Sequence, residues 1–158
     1  MKRAILVLMM AALLGATASA GESREVMAAF IKALKEGKST EAAAKVFTPQ
    51  GREQSMKERV DSLIGKFRTA DADTFEIAEA KEAKTVAIVI VKDAVKAQDG
   101  RPDYDAITLL KRQGNWKVVL GNAEVERLLS PEEKAELTEL QQWQDEAMKK
   151  LKGLPNGK

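Results

Sequence analysis

The chain contains neither cysteine nor histidine. Thiol nucleophiles, disulfides, thiolate or imidazole metal sites and imidazole bases are therefore excluded. What remains is oxygen chemistry, and it gathers in one stretch: Asp93, Asp99, Asp103 and Asp105, with the only tyrosine, Tyr104, among them. A carboxyl group serves as a general base near neutral pH only where a dry pocket raises its pKa. Asp103 and Asp105 follow Arg101-Pro102 beside an expected turn, where water keeps them ionised. On an extended strand those two share one face and Tyr104 takes the other, so the three converge only across a bulge. The same oxygens could ligate calcium, but the stretch lacks the dense Asp/Asn alternation and closing bidentate Glu of a calcium loop. Solvated hairpin charges are the plainer reading, and no catalytic residue, metal ligand or cofactor site is assigned. No glycine loop is present to cradle a phosphate, since Gly51, Gly65 and Gly114 stand isolated.

The elements that carry these residues follow from the hydrophobic period. From Ser23 onward, Val26, Phe30, Ala33 and Leu34 recur at helical spacing, and Gly37 suits a left-handed terminator. Ser39 or Thr40 can cap a short helix from Glu41 to Phe47. Thr48-Pro49 restarts the chain, and Met56, Val60, Leu63, Ile64 and Phe67 form a continuous stripe on a helix from about Pro49 to Arg68. The period then shortens toward two. Phe75 and Ile77 alternate with Thr74 and Glu76 as a half-buried strand, while Val86 to Val91 is apolar on both faces and reads as a central one. Asp99-Gly100 suits a tight primed turn between Thr85–Gln98 and Arg101–Gln113, and Gln113-Gly114-Asn115 turns again into Trp116–Leu120. Four successive strands imply an antiparallel meander. Two registers are open at the last turn: a two-residue loop aligns Trp116 with Lys111 and Val118 with Leu109, whereas a three-residue loop aligns Val118 with Leu110. One residue of slip swaps the faces, so the side taken by Trp116 stays open. Ser130-Pro131-Glu132-Glu133 is a capping box with proline at the first helical position, opening a helix to about Lys152. Leu137, Leu140 and Trp143 share one face of it. That stripe either docks on its own domain or acts as a partner helix for another protein or a second copy.

Charge narrows the partners. The chain has 26 Lys+Arg against 24 Asp+Glu, a balance that gives no bulk pull on nucleic acid or anionic lipid. The mixed runs Lys57-Glu58-Arg59 and Lys81-Glu82-Ala83-Lys84 carry no spaced aromatics and read as solvated faces. At the start, basic Lys2-Arg3, the uncharged run Ala4 to Ala16 and the small residues Ala18-Ser19-Ala20 follow the order of a secretory leader. The apolar run is shorter than the roughly 20 residues a permanent anchor needs. Cleavage after Ala20 is therefore expected. It leaves a soluble chain, periplasmic or secreted, with no integral membrane segment and with burial alone to hold it together.

This order of elements, with a late strand reading Gly114-Asn115-Trp116-Lys117-Val118-Val119, resembles the nuclear transport factor two-like superfamily over Glu22 to Leu120. Phe47-Thr48-Pro49-Gln50-Gly51-Arg52, entering the long helix, is similar to exported bacterial domains of unknown function within it. The resemblance implies an α+β fold, with N-terminal helices packed on a curved four-stranded antiparallel sheet, the cystatin-like cone. The C-terminal helix departs from the minimal pattern. Such a cone often encloses an apolar pocket and often dimerises through its sheet, a surface the helix from Ser130 could cover, so a homodimer is left open. Members that act as ketosteroid isomerases use a buried carboxylate base, which keeps an enzyme open as well. The expected division is residues 1–20 as leader, 21–129 as the α+β domain, 130–152 as the capped helix and 153–158 as a tail. For a ligand in the cone, Phe30 and Phe67 from the helices with Tyr104 and Trp116 from the sheet are the candidate wall. The expected function is an exported, non-catalytic binding or interaction module, taking a small apolar ligand or a protein and needing no cofactor. The alternatives are a carboxylate-based isomerase or hydratase-like enzyme, and an envelope structural or adaptor protein acting through Leu137, Leu140 and Trp143.

Overall fold

In the computed structural model, which describes residues 19–69, 75–98 and 101–153, helices lead into a sheet and one long helix closes the chain. The first, α1 (Ser19–Lys35), buries Met27, Phe30, Ile31 and Leu34, a helical spacing that aims one stripe at the sheet. It ends at Gly37, whose φ of 69° only glycine adopts without strain. The Lys38 N–H reaches the Ala33 carbonyl at 2.9 Å and the Gly37 N–H the Leu34 carbonyl at 3.2 Å, satisfying the last turn. In α2 (Ser39–Ala44), Lys38 is the N-cap and no side chain caps the helix. Ser39 does not cap because it is the first residue of the helix rather than the one before it; its hydroxyl donates to Asp61 on α3 (Glu53–Thr69). That helix starts at Glu53 rather than near Pro49, since Gly51 takes a φ of 78° and breaks any continuous turn through it. Along α3, Met56, Val60 and Ile64 are buried.

The sheet is an antiparallel meander in the order β1 (Phe75–Glu82), β2 (Val86–Gln98), β3 (Arg101–Arg112) and β4 (Asn115–Val118). Every side chain from Val86 to Val91 is buried, as a strand covered on both faces requires. Ala87, Val89 and Val91 join the core formed with α1 and α3, while Val86 and Ile88 join a second core on the far side. The last hairpin turns through Gln113 and Gly114, with φ values of 51° and 79°, the paired positive values of a two-residue primed turn. Lys111 therefore pairs with Trp116 and Leu109 with Val118, and Trp116 enters the inner core. The outer edge of β4 is covered by Val46 and its neighbours, with the Phe47 N–H on the Val118 carbonyl at 2.8 Å. Residues Gln98 and Arg101 pair around the expected Asp99-Gly100 turn, which itself lies outside the described residues. Thr74, residues 1–18 and residues 154–158 lie outside them too.

A short α4 (Asn122–Val125) and one 3-10 turn (Glu126–Leu128) lead to α5 (Pro131–Leu151). The capping box is formed: the Glu133 N–H donates to the Ser130 hydroxyl at 3.2 Å, and the Ser130 N–H to the Glu133 carboxylate at 2.9 Å. Glu133 also receives both guanidinium nitrogens of Arg112, at 2.6 and 3.2 Å, which ties the helix start to the end of β3. Leu140 is buried and Leu137 and Trp143 are half-buried, all against Val86, Ile88 and Leu110 of the same chain. Glu136 fastens the helix to the β1–β2 connection by accepting the Thr85 and Val86 N–H groups at 2.8 and 3.1 Å. The Leu137, Leu140 and Trp143 stripe thus packs on the sheet of its own chain, with Leu137 and Trp143 keeping part of their surface open.

Candidate functional site

Between the helices and the far end of the sheet lies a cavity of about 530 Å³, within the range of small-molecule sites. The stripe of α1 supplies Met27, Phe30, Ile31 and Leu34, and α3 supplies Leu63, Lys66 and Phe67. Phe67 stacks on Phe75, ring centroids 4.2 Å apart, so helix and edge strand form one aromatic wall. The sheet floor is Val91 and Asp93 from β2 with Asp105 and Ile107 from β3, and Leu120 closes the side beyond β4.

Strand alternation explains why carboxylates reach this floor. On β2, Val89, Val91 and Asp93 occupy successive positions of the inner face. On β3, Leu109, Ile107 and Asp105 do the same, with Asp105 opposite Val91 and Asp103 opposite Asp93. Asp93 and Asp105 are thus diagonal neighbours, about 7–8 Å apart on their backbones. Asp93 is only 4% exposed, whereas Asp105 and Lys66 are exposed and mark the wet rim. The site can therefore take an apolar body and offer it oxygen acceptors at one end. Among the described residues no three acidic groups converge to hold a metal ion, and Asp99 lies outside them.

Of the four residues expected to wall a pocket, Phe30 and Phe67 line the cavity and Tyr104 and Trp116 do not. Tyr104 pairs with Lys92, one position out of phase with Asp93 and Asp105, and so takes the opposite face. Trp116 is on the inner face but at the other end of the sheet, opposite Lys111. That is six positions along β3 from Asp105, roughly 20 Å of strand. There its ring lies under the Lys111 ammonium at 5.4 Å, and its indole N–H is buried with no hydrogen-bond partner. Of the hairpin carboxylates, Asp105 is exposed and Asp103 is 41% exposed beside Lys152, as a solvated hairpin predicts. Asp93 is not, because its strand is central and passes beneath the helices. The missed lining residues include Ile107 and Asp93, and the signal that could have found them is the period of two running through Val89 and Val91.

A family model described as a domain of unknown function, DUF4878, matches residues 18–119. The chain belongs to this family. The DUF4878 match takes in α1 through β4 and every cavity residue except Leu120, and it stops before α5. No curated protein matches the chain. Among solved structures it is similar to a Campylobacter jejuni chain solved as an NTF2-like transpeptidase. Their identity is 16% and the TM-score 0.48, over 62% of this chain and 98% of that one. It is also similar to an NTF2-like protein with a cystatin-like fold from Novosphingobium aromaticivorans, at 16% identity and a TM-score of 0.42, over 77% of this chain and 95% of that one. The helix-on-sheet architecture of the DUF4878 region stands on the pairings described above.

Proposed function

We propose that this protein is an exported binding module that holds a small, largely apolar ligand in the cavity between α1, α3 and the sheet. The observation that carries this reading is the cavity of about 530 Å³ walled by Phe30, Phe67, Phe75 and aliphatic side chains. A void of that size lined by apolar groups gives up packing contacts that a ligand would restore. Export is supported by the leader order of residues 2–20.

Binding is tested with the neutral fluorophore N-phenyl-1-naphthylamine and the variant Leu63→Trp, which fills the cavity from α3. The expected result is saturable fluorescence enhancement in the parent protein and at least tenfold weaker binding in the variant at an unchanged Tm. Equal binding by both would place the fluorophore elsewhere and end the proposal. For export, mass spectrometry of the secreted or periplasmic protein should find Gly21 at the N-terminus; an intact Met1 overturns it.

One observation favours a second reading, a carboxylate-dependent isomerase or hydratase: Asp93 is buried on the wall of an apolar cavity, the setting a carboxylate base needs. Under that reading Asp93→Asn abolishes turnover of a bound compound while binding persists.

A further inference from the structure

We propose that a groove beside this cavity receives the carboxylate of an acyl-chain ligand, held by Arg59 while the chain lies in the cavity. This rests on the binding reading above and specifies the head group and where it sits. The groove has a volume of about 450 Å³ and shares Leu63, Ile107 and Leu120 with the cavity. A ligand can therefore pass from one space into the other along apolar side chains. One helix spans both: Arg59 lines the groove and Phe67 the cavity wall, eight positions further along α3, about 12 Å of helix axis. A medium-length acyl chain covers that distance when extended.

Arg59 decides the head group. Its Nη1 donates to the Leu120 carbonyl at 2.9 Å; among the described residues this is its one hydrogen bond, and no carboxylate pairs with it. A guanidinium carries five N–H donors in a planar fork, so two of those that remain can take both oxygens of a carboxylate. The backbone holds that fork at the groove. Gly121, with a φ of 97°, leaves open the space beside the same nitrogen, since a Cβ there would come within 2.8 Å of Nη1. The groove lining contains no aspartate or glutamate to compete for the charge. An ion pair on an open surface is worth little, but here Leu63, Ile107, Val119 and Leu120 wall the groove with apolar groups, and a poorly polarisable wall strengthens the attraction. An ammonium head would meet a fixed like charge in the same place, and a hydroxyl would forgo the charge-assisted bonds.

The test compares decanoate, decanol and decylamine, each below its micellar or solubility limit at pH 7.5, by displacement of N-phenyl-1-naphthylamine from the full chain. Decanoate should bind at least tenfold more tightly than decylamine. Arg59→Gln should weaken decanoate at least fivefold and leave decanol within twofold. Ser62→Glu, three positions along α3 at an exposed site on the groove, sets a competing carboxylate beside Arg59 and should do the same. It leaves the Leu120 bond in place, so it keeps the comparison open if Arg59→Gln lowers the Tm too far. Decylamine binding as tightly as decanoate, or decanoate binding unchanged in the folded variants, overturns the head-group assignment; decanol that still displaces the fluorophore then leaves the cavity reading standing. If none of the three displaces the fluorophore and the fluorophore itself fails to bind, the cavity reading falls and this proposal with it.

Discussion

Glu133 does two jobs with one carboxylate. It accepts the Ser130 N–H that the first turn of α5 leaves over, and it receives the Arg112 guanidinium through two bonds while its own side chain is 13% exposed. Glu133→Ala removes a cap and strands a half-buried arginine, which together should cost about 2–3 kcal/mol. Urea unfolding should show the midpoint falling with an unchanged m-value. Its neighbour Glu132 gives a pH signature. A hydrogen bond from its own backbone N–H, then one from the Ser130 hydroxyl, hold its carboxyl below the usual value of 4.5, against a smaller opposing effect of burial. A folded-state pKa that is lowered contributes stability above the unfolded value and loses it as pH falls through the folded one. Thermal melts of the parent and Glu132→Gln should therefore differ most at neutral pH and converge in acid. The residue scale is also where sequence reading was least complete. The capping box was legible because its four residues are contiguous, but Arg112 as the partner of Glu133 was not, since the two meet only once β3 and α5 are in place.

At the scale of elements, the two glycines flanking the cavity region make opposite demands. Gly65 is exposed within α3, and a Cβ there meets nothing within 4 Å. Gly65→Ala should stabilise the protein by about 0.5–1 kcal/mol, because alanine loses less backbone freedom on entering a helix. Gly121 has a φ of 97°, and a Cβ would come within 2.8 Å of the Arg59 guanidinium that pins the Leu120 carbonyl. Gly121→Ala should cost roughly 1–3 kcal/mol, and differential scanning calorimetry of the two variants side by side checks both signs. Elements were well marked in the sequence where one period ran without interruption, as along α3 and through Val86 to Val91. Boundaries were less so. Pro49 suits a helix start by its own ring geometry, yet Gly51 two residues later turns the chain the other way, and only the folded backbone shows which preference prevails.

For the whole molecule, α5 is the question of most consequence. It covers Val86, Ile88 and Leu110, each 1% exposed or less, so removing it uncovers a continuous apolar face on the sheet. A chain ending before Ser130 should aggregate or lose its cooperative melt, seen by circular dichroism and size-exclusion chromatography. A monomeric truncation with an unchanged melt would show that the helix is dispensable. The family match ends at residue 119, before this helix, but takes in Val86, Ile88 and Leu110, so the face that α5 covers lies within the shared domain and the helix itself outside it.

The sequence by itself determined which chemistries are absent, the order of helices and strands, the pairing implied by a meander, and the cap that starts α5. Those are properties of residue type and near-neighbour spacing, and they survive without knowing what lies across the chain. Only the tertiary structure decided that Trp116 sits far from the cavity, that the Leu137, Leu140 and Trp143 stripe packs on the sheet of its own chain, and that Asp93 is buried while Asp105 beside it is wet. Each of these depends on a register or on which helix passes over a strand end. One residue of slip in an extended strand exchanges inside for outside, and no short-range pattern fixes that choice.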